Sequence, residues 1–185
     1  MSGKRAWLAA VSLSASIFAL AGLAQAEGTT TRASSKAVAA NGPVVKACDL
    51  RGNALGKVVE KGPGKWKLYD TAPGSMAPRD FYLTGFTDRC PRRITGTVAM
   101  FGSVELYELL HYGPVGMKPS AASTDRAYQV ARSRACGAPA KPCTKRGLKK
   151  LEKSVVFLDV YPSSGSPARV QLLMSRGRLS AVAQK

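Results

Sequence analysis

The sequence predicts an α+β fold: a mainly antiparallel sheet with two or three short helices, stabilised by disulfides. Three observations predict it. β-rich segments open and close the part of the chain after residue 43, stretches with helical periodicity lie between them, and four cysteines are spread over the same region. Strands, then helices, then strands again is the order of an α+β domain rather than of a parallel α/β unit. No internal repeat competes with it.

Residues 1–26, "MSGKRAWLAAVSLSASIFALAGLAQA", stand apart from the fold. Lys4 and Arg5 make a positive start, Ala6 to Leu23 is apolar apart from small polar residues, and Ala24-Gln25-Ala26 is a small-x-small site. These are the parts of a cleaved signal peptide, so an exported protein, periplasmic or extracellular, is expected. A retained anchor is the competing reading, because about 18 apolar residues reach across a bilayer. The interior serines and the small-x-small site favour cleavage after Ala26. From residue 27 to 43, "EGTTTRASSKAVAANGP" is small, polar and aperiodic. Such a segment cannot offset the entropy of ordering itself and is expected to be a flexible tether. The remaining residues 44–185 are long enough for one domain with a real core.

Within that domain, "ALGKVVEKG" and "GKWKLYDT" read as strands, the second alternating Trp66 and Leu68 against Lys65, Lys67 and Tyr69. "APGSMAP" carries turn chemistry, and "RDFYLTGF" is aromatic and β-compatible. After "TDRCPRR" comes "ITGTVAMFG", read as one strand whose Ile94, Gly96, Val98 and Met100 share a face. The two runs are joined by a short connection, which predicts an antiparallel hairpin. Gly96 is expected at a bulge or a tight contact.

"GSVELYELLHYG" changes period. Ser103 is a plausible N-cap, Glu105 sits in the first turn and Gly113 precedes Pro114. Leu106, Leu109 and Leu110 form an apolar stripe, which would put Glu105 and Glu108 on the wet side. A second helix is expected over "DRAYQVARSRA", capped by Ser123 or Thr124, with Ala127, Val130 and Ala131 inward and Gly137 at its end. Thr144 to Lys153 suits another helical turn or two, Leu148 and Leu151 lying on one face. "SVVFLDVYP" and "ARVQLLMSRGRLSAVAQ" then read as strands separated by "SSGSP".

Cys48, Cys90, Cys136 and Cys143 are an even set, which in an exported chain predicts two disulfides. Cys136 with Cys143 and Cys48 with Cys90 is the expected pairing, because six intervening residues with Gly137, Pro139 and Pro142 suit a closed turn. Zinc is disfavoured: no C-x-x-C occurs and His111 is the only histidine. Thioredoxin-like and c-type haem sites use a two-residue gap that is absent here. No metal or cofactor is expected.

Catalytic patterns are equally sparse. Ser75 lacks a G-x-S-x-G elbow, and His111 near a helix end suits capping or packing better than a triad. Asp70, Asp80, Asp88, Glu105, Glu108 and Asp159 would make an acid and base pair only if they met in a cleft. Asp70 and Asp88 suit turns or arginine partners. "GNALGKV" misses the phosphate-loop spacing and has Val58 in place of the magnesium-binding Ser or Thr. Trp66, Tyr69, Phe81, Tyr82 and Phe86 suit cross-strand packing better than a ligand groove.

Charge is what remains. The chain holds 28 Lys and Arg against 11 Asp and Glu, a formal net charge of +17. Arg126, Arg132, Arg134, Lys141, Lys145, Arg146, Lys149, Lys150 and Lys153 fall in one segment whose single acid is Glu152. Arg89, Arg92 and Arg93 form a smaller cluster. Such an excess attracts polyanions at long range, in a way that salt weakens. Nucleic acid is a weak candidate because no recognition motif accompanies the charge. The sequence thus predicts an exported, strongly basic, non-catalytic binding or accessory protein of the bacterial periplasm or envelope, docking on an anionic envelope polymer, lipid headgroups or another exported protein. A small periplasmic hydrolase using clustered carboxylates or His111 is the alternative.

Overall fold

Among the described residues, nine strands and three α-helices form three layers. The structure, a computed structural model, describes residues 43–137 and 142–185. The predicted leader 1–26, the tether 27–43 apart from Pro43, and Lys141 lie outside the described residues.

The first sheet is built from β1 (Val45–Lys46), β2 (Lys57–Lys61), β3 (Lys67–Asp70), β4 (Arg79–Thr84) and β5 (Arg92–Gly96), in the order β1-β5-β4-β3-β2. The second is built from β6 (Val98–Gly102), β7 (Val155–Tyr161), β8 (Val170–Ser175) and β9 (Arg178–Gln184), in sequence order. All neighbouring strands are antiparallel. Between β6 and β7 run α1 (Val104–Tyr112), α2 (Ser123–Cys136) and α3 (Lys145–Ser154). The predicted α+β class and the β4–β5 hairpin are therefore present.

The strand expected over "ITGTVAMFG" is two strands in different sheets. At Thr97 the chain leaves the first sheet, where Ile94 is buried, and enters the second, where Val98 and Met100 are largely exposed. Thr97 donates its N–H to Tyr161 O at 2.8 Å, and its own carbonyl accepts from Arg79 Nη1 at 2.6 Å. Gly96 is a tight contact, as expected: a Cβ there would lie 2.6 Å from Val160 Cγ1 and 2.8 Å from Tyr161 O.

The period-two pattern of β7 explains the layering. Val156, Leu158 and Val160 face the first sheet and pack with Leu68, Phe81, Leu83 and Ile94. Val155 and Phe157 face the other way and pack with Leu173 of β8, Val104 and Tyr107 of α1, Tyr128 of α2 and Leu151 of α3. At its central strands β7 and β8 the second sheet is covered on both faces, which is why "VVFLDVY" reads as a nearly continuous apolar run rather than an alternating one. Trp66, Phe81 and Phe86 belong to the first of these cores, Trp66 meeting Phe86 edge-on at 4.8 Å, so these aromatics pack instead of lining a groove.

Helix α1 is capped as expected, with Ser103 Oγ accepting from Leu106 N at 3.1 Å, but it is rolled over relative to the predicted stripe. It buries Val104, Tyr107 and Glu108 and leaves Leu106 and Leu109 each 53% exposed. The physical reason is Glu108, which is only 5% exposed because Arg132 lies beside it. Its Oε1 accepts from Arg132 Nε at 2.7 Å and from the Tyr128 hydroxyl at 2.8 Å, and Oε2 accepts from Cys143 N at 3.3 Å. Helix α2 packs Ala127 and Ala131 against the core as expected and turns Thr124, Asp125, Tyr128 and Arg132 inward beside them, but Val130, also expected in the core, is 53% exposed. Burial pushes the Tyr128 hydroxyl above its ordinary pKa, and the neighbouring Glu108 carboxylate adds to the shift.

Both predicted disulfides are present, Cys48–Cys90 and Cys136–Cys143. They are compatible with an oxidising location. No helix among the described residues is long and apolar enough to cross a membrane.

Candidate functional site

Helix α3 owes its orientation to three features. Thr144 caps it, Oγ1 accepting from Gly147 N at 3.2 Å. Leu148 and the fully buried Leu151 hold it to the core. Gly147 lies against the disulfide, where a Cβ would approach Cys136 Sγ to 3.1 Å. Because Cys143 directly precedes Thr144 and donates to the buried Glu108, the start of α3 is fixed from two sides.

With Gly147, Leu148 and Leu151 inward, the basic positions of the helix point out. Lys145, Lys149 and Lys153 follow one another four residues apart, with Arg146 and Lys150 in the adjoining row. Among the described residues these five side chains alone line a surface depression of about 420 Å³. Among the described residues none of the five takes part in an ion pair. Each like-charged pair four apart destabilises a helix by about 0.2–0.5 kcal/mol. Lys145 and Arg146 also occupy the first turn, which holds no acid, at the positive end of the helix dipole. Apart from Lys153, which suits the negative end of the dipole, these cations are locally unfavourable, and an anion over them would relieve both effects.

The other predicted cations divide. Arg134 is exposed on α2. Arg126 is exposed too, but its guanidinium donates to the Ala121 carbonyl. Arg132 is not a surface residue: it is 1% exposed, bound to Glu108, and its guanidinium lies 3.6 Å over the Tyr112 ring. Its place in a basic patch is thereby corrected, since the α2 face with Thr124 and Tyr128 turns it inward. Arg92 and Arg93 belong to the first sheet and pair with Asp88 and Asp80, so they are not part of the α3 face.

The carboxylates named for acid and base work are mostly held by individual arginines. Asp70 forms a two-pronged pair with Arg79, both contacts at 2.7 Å; Asp88 binds Arg92 at 2.7 Å; Asp159 binds Arg169 at 3.0 Å. Asp80 lies 3.8 Å from Arg93, and Glu108 is taken by Arg132, while Glu105 is exposed on α1. The carboxylate of Asp70 also accepts from Ala72 N and that of Asp88 from Cys90 N, the turn roles expected of them. The His111 ring packs on Tyr107, centroids 4.2 Å apart, and its Nδ1 donates to Met117 O at 2.9 Å. No group of three or more potential metal ligands occurs among the described residues.

A larger cavity, about 610 Å³, lies between the sheets and is lined by Lys46, Asp88, Arg92 and Arg178 with Val44 and Leu179. Asp88 pairs with both Lys46 and Arg92, so an acid offsets part of the positive charge of this cavity. The α3 face differs in having no acid among its lining residues. Comparison of the chain with protein-family models, curated proteins and solved structures gives no match.

Proposed function

We propose that this is an exported, non-catalytic binding protein whose α3 face docks on an anionic polymer of the bacterial envelope. The observation that carries the reading is the set of five uncompensated cations, Lys145, Arg146, Lys149, Lys150 and Lys153, gathered around one depression on a helix capped by Thr144 and anchored by Leu151. Several acids of the chain are engaged with internal arginines, which leaves these cations for an outside partner. Among the described residues no apolar side chain lines the depression, so the surface suits a solvated polyanion better than insertion into a bilayer. Export is supported by the leader-like residues 1–26 and by two disulfides.

The test compares the native protein with a variant in which Lys145, Arg146, Lys149 and Lys153 are all Gln, leaving Lys150 in place. Retention on immobilised polyphosphate is followed across a salt series, with anionic phospholipid vesicles as a parallel arm. The variant should elute at markedly lower salt and keep its thermal midpoint. Unchanged elution, or retention on vesicles alone, overturns the reading.

A further inference from the structure

We propose that a smaller recess beside the α3 face is a site for a single tetrahedral oxyanion, the phosphate or sulfate end of a monoester. It lies between α2, the end of α3 and the β8–β9 turn, and encloses about 190 Å³. That is room for about six waters, enough for one hydrated oxyanion group and too little for a polymer chain. Arg134, Lys150 and Arg176 line it together with Ser154 and Ser175. The three cations come from three different elements and meet with no acid among the lining residues. None of them has an ion pair among the described residues.

The backbone supplies an independent observation. Arg176 holds a left-handed conformation, φ 52, followed by Gly177 at φ 74. A two-residue hairpin loop with both residues at positive φ favours Asn-Gly or Asp-Gly, and an arginine in the first position carries backbone strain. Arg176 N donates to Ser154 O at 3.3 Å, which fastens the turn to the end of α3 and sets Arg176 at the recess. A strained residue that brings a charge to a cavity is a reason to look for a ligand there, because its own turn would be better served by asparagine. Among the described residues the Ser175 hydroxyl has no partner and is open to donate, whereas that of Ser154 already donates to Leu151 O at 3.2 Å.

Lys150 lines both this recess and the α3 depression, so the two adjoin. The inference deepens the docking proposal and rests on it only for the idea that one ligand spans both: a polyanion lying along α3 would place a terminal or branching phosphate or sulfate group in the recess.

The experiment titrates the protein with inorganic phosphate, sulfate and glycerol phosphate at constant ionic strength, following backbone amide shifts of Ser154, Arg176 and Gly177. R176N removes the charge while suiting the turn, so it should weaken phosphate binding by about tenfold and leave the thermal midpoint unchanged or raised. R134Q should weaken it by a similar factor. K145Q/K149Q should leave phosphate affinity intact and lower polyphosphate retention. A preference for glycerol phosphate or for sulfate identifies the source of the oxyanion. Equal phosphate affinity in R176N and the native protein, or equal displacement by chloride, overturns the site. Normal retention of K145Q/K149Q together with an Arg176-dependent phosphate site overturns the docking proposal and leaves the recess standing.

Discussion

Glu108 and Arg132, from different helices, meet at 2.7 Å inside the helical layer, where neither reaches solvent to any useful extent. This pair decides which side of α1 faces the core. Removing one partner leaves the other charge buried and uncompensated, so E108A should destabilise the protein by about 3–5 kcal/mol. The double replacement E108L/R132M should recover part of that loss, because an apolar pair of similar volume leaves no unpaired charge, although the Tyr128 hydroxyl and Cys143 N lose their acceptor. Urea denaturation of the single and double variants measures both effects.

The same relationship predicts a surface that tolerates change. Leu106 and Leu109 are the most regular apolar pair on α1, yet both are half-exposed. L106Q/L109Q should alter stability by no more than about 0.5 kcal/mol, whereas Y107A should cost about 3–5 kcal/mol. The opposite order in thermal unfolding would return Leu106 and Leu109 to the core.

Acid sensitivity follows from the sheet carboxylates. Burial alone would raise the Asp70 pKa, but hydrogen bonds from Arg79 and Ala72 and the charge of Arg79 hold it below the ordinary 3.8. Asp88 is lowered chiefly by its hydrogen bond from Arg92. A carboxyl whose folded pKa lies below its unfolded value stabilises the fold above the unfolded value, and that contribution disappears as pH falls through the folded one. Stability should therefore decline once pH drops below 3.8, and D70N should be less stable at neutral pH with a shallower acid limb. Urea midpoints between pH 7 and pH 2 give the comparison.

The two disulfides close loops of different size, with sequence separations of 42 and 7. On chain-entropy grounds Cys48–Cys90 should contribute about 4 kcal/mol and Cys136–Cys143 about 2.5 kcal/mol. C48A/C90A should accordingly lower stability more than C136A/C143A. The second variant should lose more polyphosphate retention than its stability loss explains, because Cys143 adjoins the cap of α3. Denaturation and retention measured on the same samples separate the two.

Much of this architecture was legible in the sequence because local pattern and tertiary environment agree. Alternation marked β3 and β4, turn residues marked their connection, and Leu148 with Leu151 marked the inner face of α3 and hence its outer cations. Local pattern failed where a distant partner decided the outcome. Helix α1 offers two apolar stripes, and the choice between them depends on Arg132, which the period of α1 does not encode. A usable signal for Arg132 did exist: Thr124, Tyr128 and Arg132 repeat every four residues on α2, whereas a count of charge along the segment ignores that period. The crossing at Thr97 was hidden because both flanking runs are β-compatible, and the recess at Arg176 because its three cations come from distant parts of the chain.

The cover on both faces of the second sheet also sets how the molecule opens. Val155 to Val160 in β7 and Leu172 to Met174 in β8 are shielded by one layer or the other, so their amides can meet solvent only when a whole layer lifts away. Hydrogen exchange should be slowest in β7 and β8 and approach the rate of global unfolding. Helix α3, held on one side and crowded by like charge on the other, should exchange by local fraying. A bound polyanion would slow α3 selectively, which makes that helix a reporter of occupancy while β7 and β8 report the integrity of the whole fold.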